Sequence, residues 1–181
     1  MLESSQWYNG VIHFDYPFFH IEVTLVQGKL LAVVPRLSAE WSLTYSINVK
    51  SIQMTDDICS FVILSTIEDH TIYGSRSPFH YIQRKIQDTF EMKFSSAINS
   101  ALEVVTMSEM PKVGEWEHYE FHQRYVNGGK YRFFVKRNGE EVYSIINADA
   151  RQFYDIKVWA GMPIYPACSA DIKNLELTNF L

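Results

Sequence analysis

The sequence predicts an all-β protein, a two-sheet antiparallel sandwich, with a closed barrel as the second choice. Three observations carry this. Aromatic residues make up 15% of the chain and β-branched residues are frequent, which suits pleated, half-buried surfaces better than helix bundles. Short apolar-patterned segments recur along the chain with turn residues between them. Two Asn-Gly pairs, Asn127-Gly128 and Asn138-Gly139, separate such segments, and both residue types tolerate the positive φ that a type I′ hairpin turn requires.

Taken in order, Ile12 to Pro35 alternates apolar and polar residues and breaks at Gln27-Gly28, which reads as strand, turn and strand. Trp41 to Val49 alternates cleanly and puts Trp41, Leu43, Tyr45 and Ile47 on one face, so that face is expected to be buried. Cys59 to Thr66 is a nearly continuous apolar run, short enough for a strand covered on both sides. Asp69 to Pro78 reads as a polar loop. Phe79 to Phe94 is ambiguous, because Tyr81, Ile82, Ile86, Phe90 and Met92 fit a helix nearly as well as two short strands; strands are the preferred reading. Leu102–Met107, Trp116–Gln123, Lys130–Lys136, Glu141–Ile146, Phe153–Trp159 and Asp171–Asn179 complete the set.

The 181 residues suit one domain spanning 1–181, long enough to bury roughly 70% of the surface its unfolded chain exposes. No repeat, low-complexity tract or linker divides it. With 16 basic against 21 acidic residues the formal net charge is −5, and no Lys/Arg stripe tracks a phosphate backbone, which argues against nucleic acid as a partner. No run approaches the ~20 apolar residues that span a bilayer. The first ten residues, MLESSQWYNG, have neither a basic n-region nor an apolar h-region, so a cytosolic chain and a mature domain without its leader are both compatible, the extracellular setting being preferred.

The pattern Gly-Glu-Trp-x-His-x-Glu at 114–120, then Gly129-Lys130-Tyr131, a Lys/Arg-Asn-Gly turn, Phe153 to Trp159 (FYDIKVW) and Ile172-Lys173-Asn174-Leu175 resembles the concanavalin A-like, laminin-G-like jelly-roll domains of extracellular invertebrate proteins. Upstream, Gly28 to Pro35, Glu40-Trp41-Ser42-Leu43 and Tyr73-Gly74-x-Arg76-x-Pro78 extend the resemblance over about residues 25–178. It departs at Ser75, where the family pattern has Asp, and at Gly161 to Tyr165, which replaces an Asp-Pro-Trp-Tyr type loop. The resemblance implies a two-sheet jelly roll serving as a binding or adhesion module for sugars or proteins, sometimes with calcium. Glycosidases share the broad fold, so fold alone does not decide between binding and catalysis.

Ligand-contact candidates are Tyr73, Arg76 and His80 around the middle loop and Trp159 and Tyr165 around the later one, since aromatic faces stack on sugar C–H surfaces and Arg offers a planar fork of donors. Packing is the alternative for each aromatic. Asp56, Asp57 and Asp69, the last beside Glu68 and His70, are oxygen donors of the kind calcium takes, though short acidic loops are also ordinary solvated turns. His118 and His122 would lie about 13 Å apart on a strand, too far to chelate one ion together; a metal site there would need one His with Glu120. Glu115 and Glu117 are loose candidates for the carboxyl pair, about 5 to 5.5 Å apart, of a retaining glycosidase.

Cys59 and Cys168 are candidates for a disulfide. If the last strand runs antiparallel to Trp41–Val49, the residues before Asp171 come near the start of the strand that holds Cys59. Such a bond stabilises by about 4 to 5 kcal/mol in the chain-entropy model and implies an oxidising compartment. The expectation is therefore a non-catalytic extracellular module for a glycan or protein ligand, with a carbohydrate-active enzyme or a self-associating structural domain, a homo-oligomer, as alternatives.

Overall fold

The structure, a computed structural model, describes residues 6–8, 11–13, 22–66, 72–86 and 89–180. In chain order the strands are β1 Gln6–Tyr8, β2 Val11–His13, β3 Val23–Thr24, β4 Leu30–Leu37, β5 Trp41–Val49, β6 Ile58–Ser65, β7 Phe79–Arg84, β8 Phe90–Ile98, β9 Ala101–Ser108, β10 Trp116–Asn127, β11 Lys130–Arg137, β12 Glu140–Asn147, β13 Phe153–Ala160 and β14 Ala170–Asn179. Two six-stranded sheets run β12-β11-β10-β5-β14-β3 and β4-β13-β6-β7-β8-β9, and β1 pairs with β2. Every pairing between these strands is antiparallel.

The inner faces of the two sheets meet in one core. Trp41, Leu43, Tyr45 and Ile47 are all buried, as their period-2 spacing requires, against Phe61, Leu64, Phe94, Tyr119, Phe121 and Val158. Chain reversal follows local chemistry. Arg137 pairs with Glu140, leaving Asn138 (φ 52) and Gly139 (φ 84) as the two turn residues, the two-residue loop with positive φ that Asn-Gly predicts. The other hairpin differs from the expectation by one position: Asn127 pairs with Lys130, so Gly128 (φ 54) and Gly129 (φ 73) occupy the turn. The second glycine takes positive φ without a Cβ penalty, which moves Asn127 into the ladder.

The ambiguous stretch 79–94 is two strands, β7 and β8. Its helix-like apolar spacing arises because β7 is covered on both faces: Phe79, His80, Tyr81 and Ile82 are all buried. The run at β6 behaves likewise, with Phe61 and Leu64 in the main core and Ile63 in a second cluster on the outer face.

Candidate functional site

That second cluster defines the site. On β7 the pleat sends His80 and Ile82 into the main core and Phe79 and Tyr81 to the opposite, outer face of the second sheet. Strand register then lines up Trp159, Ile63, Phe79, Ser95 and Val105 as one row across β13, β6, β7, β8 and β9. Tyr81, Lys93 and Met107 form the adjoining row. The Phe79 and Tyr81 rings stack at 4.4 Å between centroids, and Tyr165 lies nearly parallel to Phe79 at 6.4 Å. Met162 closes the cluster, with Trp159 and Tyr165 packed against it.

The loop carrying Met162 and Tyr165 is strapped to β6. Gly161 N donates to Phe61 O (2.8 Å), Ser60 N to Pro166 O (2.9 Å) and Cys168 N to Ser60 O (3.0 Å), while Met162 N donates to Ser60 Oγ (2.8 Å). Cys59 and Cys168 are joined by a disulfide with their Cα atoms 4.8 Å apart. Gly161 has φ +94, and a Cβ there would collide with Val26 O, so only glycine lets the loop turn so tightly against the neighbouring backbone.

The polar part of the site surrounds Arg76. Its guanidinium pairs with the Glu103 carboxylate on β9 and lies 5.8 Å from the Phe79 ring centroid. Arg76 Nε, Glu103 Oε1 and Ser95 Oγ are buried and have no hydrogen-bond partner among the described residues; Ser95 is 1% exposed. Beside them the Tyr81 phenol is pushed well above its usual range by burial first and by the Glu103 charge second, so it stays a protonated hydroxyl. The arrangement is an aromatic platform next to a charged pair and a hydroxyl whose hydrogen-bonding capacity the described residues do not fill.

Of the five residues nominated from sequence, the structure brings Arg76, Trp159 and Tyr165 to this face. Tyr73 lies elsewhere: its hydroxyl donates to Asp149 O (3.0 Å), its ring packs on Phe153 (6.0 Å), and the Arg151 guanidinium sits 4.2 Å over it. His80 corrects the expectation. It is 0% exposed, its Nδ1 is hydrogen-bonded with Tyr45 Oη at 2.7 Å, and its ring is enclosed by Phe61, Phe94 and Tyr119, so no ligand at the surface reaches it. Phe79, Tyr81, Ser95 and Glu103 were missed. The Phe-His-Tyr-Ile run at 79–82 held the available signal, since read as a strand it puts an aromatic pair on one face.

The other candidates separate. Asp56 Oδ2 accepts from Thr55 Oγ1 (3.3 Å), and exposed Asp57 sits 3.6 Å from Arg84 Nε. No group of three or more His, Cys, Asp or Glu gathers to hold a metal among the described residues, so no third such side chain joins Asp56 and Asp57 there. Asp69, with Glu68 and His70, lies outside the described residues. Glu120 is hydrogen-bonded with His122 Nε2 at 3.0 Å, and His118 Nδ1 with Ser46 Oγ at 3.2 Å, so both histidines have partners within the sheet.

The Glu115/Glu117 pair does not form an acid and base. Glu117 points inward and accepts from Arg137 Nε (2.9 Å), Arg137 Nη2 (2.8 Å) and Tyr119 Oη (2.6 Å). Burial alone would raise its carboxyl, but the hydrogen bonds from Arg137, Tyr119 and the Lys112 amide outweigh that and hold it below the usual range. A general acid needs the opposite shift. Glu115 is turned to solvent beside Lys112 Nζ at 3.4 Å.

No protein-family model and no curated protein sequence matches this chain. The fold does have solved relatives. It superposes on a native heptameric SAP-like pentraxin from Limulus polyphemus with a TM-score of 0.53 and 12% identity, over 89% of this chain and 70% of that one. A variant of the alginate lyase Aly36B in complex with alginate trisaccharide gives 0.53 and 13%, over 88% and 81%. The alginate lyase AlyC3 gives 0.51 and 9%, over 94% and 75%. At such identities the likeness speaks for the backbone alone: the chain is a two-sheet, concanavalin A-like jelly roll.

Proposed function

We propose that the protein is a non-catalytic carbohydrate-binding module, and that a glycan lies on the outer face of the second sheet against the half-buried Trp159 and Tyr165, with the buried Phe79–Tyr81 stack as the floor beneath them. The carrying observation is the pair of half-buried rings, Trp159 and Tyr165, beside the Arg76–Glu103 ion pair, whose side chains stay 15% and 24% exposed. The exposed parts of the Arg76 guanidinium and the Glu103 carboxylate offer donors and an acceptor to sugar hydroxyls. Sugar C–H faces in turn match aromatic rings. The Cys59–Cys168 disulfide supports an oxidising, extracellular setting, and the SAP-like pentraxin and alginate lyase folds support a scaffold suited to such surfaces.

The test is a broad glycan array followed by calorimetry on the hits. Arg76→Ala and Trp159→Ala are each expected to weaken binding about tenfold, equivalent to about 1.4 kcal/mol, with unchanged circular dichroism. An array without hits removes the reading. A lyase is the competing outcome, because a tyrosine and two cations, Arg76 and Lys93, share the face. Proton abstraction needs a basic group at neutral pH, and Tyr81 is held protonated. Incubation with alginate is expected to give no rise in the ultraviolet absorbance of unsaturated sugar products; a rise that disappears in Tyr81→Phe would replace binding by catalysis.

A further inference from the structure

The two sheets end in four edge strands, β12 and β3 in the first and β4 and β9 in the second. An edge with free backbone groups is a template for another strand, and proteins blunt such edges with short strands, charges or proline. Three of the four follow that rule. β3 has two residues. β4 carries Pro35, which has no N–H to give, and Arg36. β12 opens with Glu140 and Glu141, which a copy of itself would meet with like charge.

β9 follows none of it. Its eight residues, ALEVVTMS, include no proline, lysine or arginine. The single charge, Glu103, is already paired with Arg76. Val105 and Met107, on the outer face, are 44% and 60% exposed, and only β8 pairs with β9 among the described residues. We propose that β9 pairs antiparallel with β9 of a second copy about a two-fold axis, joining two six-stranded sheets into one continuous sheet. An antiparallel edge is self-complementary under such an axis, since each strand offers its partner the same alternation of N–H and C=O. Val105 and Met107 are then covered by their counterparts, and no unpaired like charges are brought together.

This inference goes beyond the glycan reading and does not depend on it. Where both hold, the pairing sets two glycan faces side by side on one surface, which raises avidity for a repeating polymer without any new contact to sugar.

The test is molar mass by light scattering and sedimentation over a dilution series of the whole chain. The expected result is a dimer mass that falls to the monomer on dilution, with slower amide exchange over residues 101–108 at high concentration. Val105→Lys and Met107→Lys, both on exposed positions, are each expected to give the monomer mass with unchanged circular dichroism, while Val142→Lys on β12 leaves the dimer intact. A monomer mass up to roughly 100 µM, where a pair with Kd near 1 µM would be almost wholly dimeric, overturns the proposal. So does a dimer that survives both β9 substitutions or that Val142→Lys alone dissolves.

Discussion

The outer faces of the two sheets are built on the same pleat and end in opposite conditions. On the first sheet three aromatics are closely capped by cations from this chain: Lys173 Nζ lies 3.7 Å over Trp116, the Arg124 guanidinium 3.6 Å over Phe180 and that of Arg132 4.8 Å over Phe134, with His122 stacked on Phe134 at 4.6 Å, whereas on the second sheet Arg76 and Lys157 stand 5.8 and 5.9 Å from Phe79 and Trp159. The acids of the first face are matched as well, Glu120 with His122 and Glu141 with Arg132. On the second sheet the rings stack on one another, and among the described residues Arg76 Nε, Glu103 Oε1 and Ser95 Oγ have no hydrogen-bond partner, and neither does His122 Nδ1 on the first face. The cations of the first face sit close over its rings, whereas on the second the rings pack mainly on one another and several buried polar atoms lack partners among the described residues.

The largest test of that difference is thermodynamic. Phe79 is 1% exposed although it points away from the main core, because Tyr81, Tyr165 and Met162 enclose it. Phe79→Ala is expected to lower the free energy of unfolding by about 3–5 kcal/mol, the range for a buried Phe truncated to Ala. Phe134→Ala, on the open first face, should lower it by about 1 kcal/mol, mainly its contact with Arg132. Urea or guanidinium denaturation of both variants measures this. Equal losses would mean that the second face is not a distinct packed cluster.

A second test uses the histidines. His80, on the inner side of the strand that bears Phe79 and Tyr81, is driven well below the usual imidazole range by burial first and by the Arg137 charge second. The groups around it are Tyr45, Tyr119 and aromatic rings, and among the described residues no carboxylate pairs with it. His122, on the first face, is lowered by burial but has Glu120 to receive its proton's charge. A histidine with a depressed folded value contributes its full stability above pH ~6.5 and loses it as pH falls below that, by about 1.36 kcal/mol per unit of depression. The denaturation midpoint should therefore drop between pH 7 and 5, and His80→Phe should remove more of that drop than His122→Gln. The reverse order would place the acid-sensitive group on the surface.

These residues also show what could be read in advance. Trp41 to Val49 declared its inner face because the outward positions are Ser42, Thr44, Ser46 and Asn48, so polarity alternates with the pleat. Asn138-Gly139 declared its turn through φ preference alone. β7 hid its identity for a physical reason: with His80 and Ile82 buried on one side and Phe79 and Tyr81 on the other, no polar alternation marks a strand. The site was half legible. Arg76, Trp159 and Tyr165 are of residue types that recognise sugars, but their grouping depends on the register of five strands and on the loop that Ser60 and the Cys59–Cys168 disulfide hold over β6. His80 was misread because residue type alone does not say which side of the pleat a side chain takes.

The smallest expected effect discriminates most directly between the faces. Lys173 is on the first sheet, and its ammonium over Trp116 is a partly exposed cation–π contact of about 0.5–1 kcal/mol. Lys173→Met retains an unbranched, apolar stem against the indole and removes the charge, so stability should fall by no more than that amount. Because Trp116 already has its cation partner from this chain, uncovering its ring there should leave the affinity for any glycan found on the array unchanged within error. Calorimetry on Lys173→Met beside Trp159→Ala makes the comparison with one residue from each face. If Lys173→Met changes glycan affinity as strongly as Trp159→Ala does, the sugar is received on the first sheet. The stacked rings of the second would then be packing, and the Arg76–Glu103 pair an internal ion pair rather than a sugar contact.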